Sequence, residues 1–327
     1  MFDITIIGDI TKDTLVLIDK ENAELIQAGK PKELEVCFPF GHKIPVKEIL
    51  ESFGGNALNV SFGFARLNLK TNLVTRLGRD KKNQQLEQTL KQEGISTLCC
   101  QYQEKVENNH SIIIIFQQER TILTYHENLE YEFLPLPESE WTYLTSLGQN
   151  SENYLNQIKE WLKDSHSKLI FQPGTYQLQL GNPKLKSILE LTEIFIANYQ
   201  EYQKILNISE TNKQELLKLL ADQGPKFCLL TDGVSGVELY DGADFYHLDA
   251  WLGRKVIEPT GAGDAFSAGF SGAIIKGQPI EQALKWGIIN SGRVVEYFGA
   301  QAGLMTQAEI GQVLKSESIN QVKKVNQ

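Results

Sequence analysis

The chain has 327 residues, 41% of them hydrophobic and 22% charged, with a formal net charge of −9. That composition is ordinary for a soluble globular protein of one large domain or two, and the acidic balance argues against a general nucleic-acid or anionic-membrane surface. Cys37, Cys99, Cys100 and Cys228 show no CxxC spacing and the five histidines are scattered, so neither a zinc site nor a disulfide framework is indicated and reduced thiols are expected.

The first residues, MFDITIIGD, read as a strand with an acid at position 3 and not as a basic leader, and no apolar run reaches membrane-spanning length. A cytoplasmic protein without a membrane partner is expected. Gly8, Asp9 and Asp13 follow that strand, at the end where open α/β sheets collect ligands; by themselves they also describe a turn. Residues 14–18 and 34–38 are strand-like, with little helical period between them. The pair Gly54 and Gly55 then opens a helix with Ala57, Val60, Phe64 and Leu67 on one side, and Asn68, which tolerates a left-handed backbone, marks its end. A strand is expected over residues 72–77, followed by a loop with Gly78 and Asp80. Within residues 99–125, SIIIIF and RTILTY flank a short turn and predict an antiparallel hairpin.

Short apolar runs at residues 4–7, 73–77, 169–171, 194–197 and 227–231 alternate with amphipathic stretches at 84–92, 154–162, 185–191 and 213–222. This rhythm predicts a mostly parallel sheet covered by helices on both faces. Asn198 and Glu201 form N-x-x-E directly after one of the strands, which fits an Asn-capped helix with an acid in its first turn as well as a binding site. Thr231, Gly233 and Gly236 lie in a glycine-containing loop, TDGVSG. Residues 258–264, EPTGAGD, carry the most chemistry. Gly261, Ala262 and Gly263 are small enough for close backbone approach to an anion, just before a predicted helix with free N–H groups and a positive dipole end. The alternative is a glycine turn into a core helix. Asp264, a carboxylate at the mouth of an anion cradle, suits the removal of a proton from an attacking hydroxyl. A helical stretch at 280–297 carries Asn290, and the tail from Ser316 is expected to fray.

Taken together, residues 53–80 and the EPTGAGD segment resemble the two signature regions of the ribokinase-like carbohydrate kinases, also called the phosphofructokinase B family, in the expected order and across nearly the whole chain. The resemblance implies an α/β, ribokinase-like fold over residues 1–327: a mostly parallel central sheet flanked by helices, with a small β-sheet lid from segments at about 11–52 and 99–128. It implies transfer of the ATP γ-phosphoryl group to a hydroxyl of a sugar or nucleoside, with Mg²⁺ present. Asp264 would be the general base, and the backbone of Gly261, Ala262 and Gly263 would stabilise the transferring group. Asp13, Gly54, Gly55 and Asn59 would hold the acceptor. Asn198, Glu201, Thr231, Gly233, Gly236 and Asn290 would serve the nucleotide, Glu201 reaching Mg²⁺ through water.

Two departures from the family pattern stand out. Glu258 replaces an Asp in a region that commonly helps hold a monovalent cation, which leaves potassium activation open. Gln172, in FQPG, replaces the acid of a D-P-N string and points to unusual specificity. A Walker sequence is absent. The alternatives are a ligand-sensing pseudokinase that regulates a partner without turnover and, among enzymes, a sugar-phosphate kinase. The substrate segments lack a basic cluster, which favours a non-phosphorylated acceptor unless folding gathers Lys12, Lys43 and Arg76. His110 and Arg120, in the lid segments, receive no role. The apolar run at 112–116, beside 121–123, leads to the expectation of a homodimer joined through the lids.

Overall fold

The structure is a computed structural model that describes residues 1–27, 34–104, 106–117, 119–209, 212–252 and 255–326. Strands β1 (Phe2–Ile7) and β2 (Thr11–Leu17) lead into the short pair β3 (Glu24–Gln27) and β4 (Leu34–Cys37), and then β5 (Glu48–Gly54). After the helix Asn56–Arg66 come β6 (Thr71–Val74), β7 (Arg76–Gly78), the helix Lys81–Gln92, β8 (Gln101–Gln103), β9 (Asn109–Phe116) and β10 (Glu119–Tyr125). The regular alternation then begins. Helices separate β11 (Ser139–Leu144), β12 (Lys168–Phe171), β13 (Thr192–Asn198) and β14 (Phe227–Thr231), and the strand set ends with β15 (Val237–Tyr240), β16 (Asp244–Leu248) and β17 (Lys323–Asn326).

Nine strands form the central sheet in the order β17-β16-β15-β14-β13-β12-β11-β1-β6. From β6 to β14 every pair is parallel, and the last three strands add on antiparallel. Because successive residues of a strand point to opposite faces, one strand feeds two cores. Ile194 and Ile196 of β13 pack into one, with the helices Asn56–Arg66, Ala262–Ile275 and Ile280–Val294; Phe195 and Ala197 pack into the other, with Tyr154, Ile158, Leu185 and Tyr202. Small residues bring helices close on the first side. A Cβ added at Gly63 would come within 2.5 Å of the Ala268 Cβ, and one at Gly269 within 2.7 Å of the Trp286 carbonyl.

A separate four-stranded sheet, ordered β10-β9-β2-β5, rises from the carboxyl end of β1. The hairpin expected in residues 99–125 is β9 and β10, paired antiparallel, while β2 runs parallel to β9 and antiparallel to β5. Its β5 strand extends to Gly54, two residues past the expected boundary. The apolar run at 112–116, behind the homodimer expectation, lies inside this sheet; β10 and β5 are its edges.

Three other expectations are corrected. The strand at 72–77 is broken at Thr75, where the chain leaves the central sheet to pair with β8. The tail from Ser316 does not simply fray, because β17 pairs with β16, and Lys324 binds Asp244 at 2.7 Å. The helix over 280–297 ends at Val294. Asn68 behaves as its sequence position suggests, with φ of 59° just past the helix Asn56–Arg66.

Candidate active site

Parallel strands with helical crossovers leave their carboxyl ends open, and the chemistry-bearing residues collect there. Asp9 follows β1, Gln172 follows β12, Asn198 ends β13 and Thr231 ends β14. Between that edge and the small sheet lies a cleft of about 330 Å³ whose walls include Asp9, Asp13, Gly55, Asn59, Gly261 and Asp264. Strand register explains the small sheet's contribution. Asp13 pairs with Ser111, Leu15 with Ile113, Ile113 with Ile122 and Ser111 with Thr124, so these side chains share the inward face.

Asp264 sits in the first turn of the helix Ala262–Ile275 and is only 8% exposed. A buried carboxylate needs donors. Asn59, from the helix Asn56–Arg66, gives its Nδ2 to Asp264 Oδ2 at 2.8 Å, and Gln172 Nε2 stands 3.4 Å from Oδ1. Burial dominates and pushes the Asp264 carboxyl up to about 6, against the lowering pull of Asn59 and Gln172, with the Asp13 charge raising it and Arg120 lowering it. Such a group is ionised at neutral pH yet basic enough to accept a proton. Asn59, expected to touch the acceptor, lines the cleft and is itself held in place: its Oδ1 accepts from Gln301 Nε2 at 3.0 Å, and that same Nε2 binds the Phe53 carbonyl.

Asp13 is also buried, and burial raises its pKa despite hydrogen bonds from Thr11 and Ser111. Gly54 makes room for it, since a Cβ there would fall on Asp13 Oδ2; Gly55, with φ of 89°, turns the chain into the helix. Asp9, not assigned from sequence, forms another buried wall. Its Oδ2 accepts from the Tyr131 hydroxyl and from the Gly148 N–H at 2.9 Å.

The glycine loop ends in Gly261 at φ of 82°, and its Cα packs so closely on Ala300 that any side chain would collide. A Cβ on Gly263 would meet nothing within 4 Å, so that side of the helix start is open, and the free N–H groups of the first turn are of the kind that bind anions. Glu258 accepts from the Thr260 N–H at 2.7 Å with Oε1. Its Oε2 and Thr260 Oγ1 are buried without a partner among the described residues, two oxygens that fit a cation beside the loop.

Asn198 and Glu201 cap the helix Tyr199–Leu206 reciprocally, the Asn198 side chain accepting from the Glu201 N–H at 2.9 Å and Glu201 Oε2 from the Asn198 N–H at 2.8 Å. Burial raises the Glu201 pKa, with the Asp264 charge a smaller contribution. Thr231, Gly233 and Gly236 line up in the turn after β14, where Gly236 has φ of 86°. Asn290 is the exception. It is fully buried, its Nδ2 bound to the Ala265 carbonyl at 2.8 Å and its Oδ1 to the Met305 N–H at 2.9 Å, so it ties helices together and has no face toward a ligand.

The cations that might have gathered around an acceptor phosphate stay apart. Lys12 pairs with Asp80 at 2.6 Å, Arg76 lies buried between the rings of Tyr131 and Tyr154 at 4.3 Å from each, and Lys43 is exposed on the segment before β5. Among the described residues no three His, Cys, Asp or Glu side chains stand together as a metal site.

Comparison with known proteins bears on the family and the fold. The description "pfkB family carbohydrate kinase" matches residues 17–307. A nucleoside kinase of Methanocaldococcus jannaschii is 25% identical over 278 residues, covering 84% of this chain and 90% of that one. The crystal structure of the nucleoside kinase from that organism, described as an archaeal member of the ribokinase family, superposes with a TM-score of 0.77 at 22% identity, over 97% of this chain and 99% of the other. The ribokinase of Arabidopsis thaliana, solved with ribose and ATP, gives 0.76 at 18% identity over 96% and 99%. The fold is that of ribokinase.

The geometry predicts that the Asp264 carboxyl titrates near 6 and that Asn59→Leu, which removes its shorter hydrogen bond, moves the midpoint higher. Carbon-13 NMR of the labelled side chain reads both. A wild-type midpoint at the ordinary Asp value of about 4 would contradict the burial argument.

Proposed function

Because the chain belongs to the pfkB family of carbohydrate kinases, phosphotransferases that act on hydroxyl groups, we propose that it transfers the ATP γ-phosphoryl group to a hydroxyl of a neutral sugar or nucleoside. One observation carries the reading. Asp264, a buried carboxylate with its pKa raised to about 6, stands in the first turn of the glycine-loop helix and on the wall of the cleft that Asp13 enters from the small sheet.

The work of each residue follows from its place. Asp13 accepts hydrogen bonds from acceptor hydroxyls and orients one of them toward Asp264. Asp264 takes the proton of that hydroxyl as its oxygen bonds to the γ-phosphorus and the bond from that phosphorus to the bridging oxygen breaks, so that ADP leaves, and the backbone N–H groups at Gly261, Ala262 and Gly263 balance charge on the transferring phosphoryl. Mg²⁺, when bound with the nucleotide, neutralises phosphate oxygens. Thr231, Gly233 and Gly236 border the nucleotide's phosphates, and Glu258 with Thr260 would hold a monovalent cation that adds positive charge beside the loop. The small sheet acts as a lid, excluding water so that ATP is not hydrolysed.

A neutral acceptor is favoured because the carboxyls of Asp13 and Asp264 line the cleft while Lys12 is paired with Asp80 and Arg76 lies between Tyr131 and Tyr154 behind Asp9. The intact base and the open glycine loop argue for turnover over passive sensing. The reading places the protein in the cytoplasm, where ATP is available. An ATP-consumption assay with pooled neutral sugars, nucleosides and sugar phosphates tests it: turnover on a neutral acceptor is expected, and a higher kcat/KM on a sugar phosphate than on every neutral compound rejects the acceptor class.

Asp264→Asn keeps the size of the side chain and removes the proton acceptor. Its kcat should fall by about 10²–10⁴-fold while ATP affinity stays nearly constant. Single-turnover transfer within about threefold of wild type, in folded protein, would remove Asp264 as the base.

The outward face of the lid gives a second expectation. Register places Ile49, Ile112, Leu123 and Tyr125 together there, each more than 40% exposed, on a sheet whose edge strand β10 is exposed along its length. Such a face suits a second copy of the chain, and a homodimer is the expected species. Sedimentation at micromolar concentration should show it, and a monomer unchanged by ligand would exclude it.

A further inference from the structure

Asn59 accounts for one oxygen of Asp264; the other faces Gln172, the residue that breaks the family's D-P-N string. Gln172 is held at both ends. Its backbone N–H donates to the Leu144 carbonyl at 3.0 Å, fixing the chain at the end of β12 against β11. Its Oε1 accepts from the Tyr143 hydroxyl, and the Tyr143 ring is fully buried with its edge 5.6 Å, centroid to centroid, from Phe64.

These partners decide which way the amide points. An ionised carboxylate only accepts, and a buried phenol whose pKa is pushed well above its ordinary value by burial stays protonated and donates. The NH₂ of Gln172 must therefore face Asp264 and its oxygen must face Tyr143. Asn59 is oriented by the same logic, because Gln301 donates to its Oδ1 and leaves its NH₂ for Asp264. The carboxylate is thus gripped by two amides, each turned by a donor of its own.

We propose that Gln172 is a positioning residue for the base, holding Asp264 Oδ1 with an N–H that Tyr143 keeps aimed at it. The inference rests on the reading of Asp264 as the base. It also gives the sequence departure a chemical sense. An acid at position 172 would bring a second negative charge toward Asp264, whereas the amide supplies a donor, 3.4 Å from Oδ1, that favours the ionised form. Other charges around Asp264 are Asp13 on β2 and Glu201 on the helix Tyr199–Leu206, both opposing ionisation, and Arg120 on β10, favouring it.

Two variants read the effect. Gln172→Leu deletes the donor, and Gln172→Glu keeps the length and the Tyr143 partner but exchanges the donor for a carboxyl. The acid limb of kcat/KM for the acceptor should move up by about half to one pH unit in the first and further in the second, with KM for ATP changed less than about twofold. If the leucine variant does not fold, Gln172→Met, which also lacks the donor, is read in its place. A limb within about 0.2 unit of wild type, whatever happens to thermal stability, overturns the positioning role. The two levels separate cleanly. An acid limb that depends on Asp264 but ignores Gln172 sinks this proposal only, whereas a limb that survives Asp264→Asn sinks the base assignment and this proposal with it.

Discussion

A carboxylate that is only 8% exposed cannot remain charged unless neighbours replace the water it has lost, and that requirement organises this molecule around Asp264. The contacts come from amides, with the Arg120 charge a smaller contribution. A lysine or arginine in contact would favour ionisation more strongly but would drag the pKa below the range in which the group can take a proton. Two neutral donors give a compromise, and the pKa settles near 6. The positive helix start that Asp264 occupies also places it beside the amides suited to a phosphate, so one turn of helix serves both halves of a transfer reaction.

Keeping the donors in range is a packing problem. Asn59 belongs to one helix and Asp264 to another, 205 residues apart in sequence, and their side chains meet at 2.8 Å. The approach of Gly63 to Ala268 and of Gly272 to Leu67 sets that separation, because larger residues there would push the helices apart. Asn290 fixes the same assembly from behind by tying the Ala265 carbonyl to the Met305 N–H. The far end of the network is anchored by Arg66, whose Nη1 binds the carbonyls of Gln301 and Leu304 at 3.0 and 2.7 Å. The site is therefore rigid where the proton moves. The small sheet, by contrast, has a minor core of Leu15, Ile113 and Ile115, which suits an element that shifts against the body.

How much of this could be read from the chain depended on whether the signal was local. The parallel strands were visible because they are buried on both faces and spell continuous apolar runs, as FCLLT does at β14. β11 escaped notice because SEWTYL mixes polar and aromatic residues, and β17 because KKVN carries almost no apolar signal and is held by pairing and charge. The cap at Asn68 and the glycine loop are local and were legible. Asn290 was misread, since a polar residue in an amphipathic stretch looks the same in sequence whether it meets a ligand or two buried backbone groups. The same blindness hid the grip on Asp264: Asn59 carried a motif but not its partner, and Gln172 announced itself only as a departure from a pattern.

The central claim is that Asp264 and the glycine loop act on the same atoms. A crystal structure with a non-hydrolysable ATP analogue and the acceptor identified by turnover would test it most directly. The account predicts one acceptor hydroxyl within about 2.6–3.2 Å of an Asp264 oxygen, the terminal phosphate against the backbone of Gly261 to Gly263, and Asn59 and Gln172 still on the carboxylate. A terminal phosphate seated away from that loop, or an acceptor with no hydroxyl near Asp264 in the closed state, would contradict it.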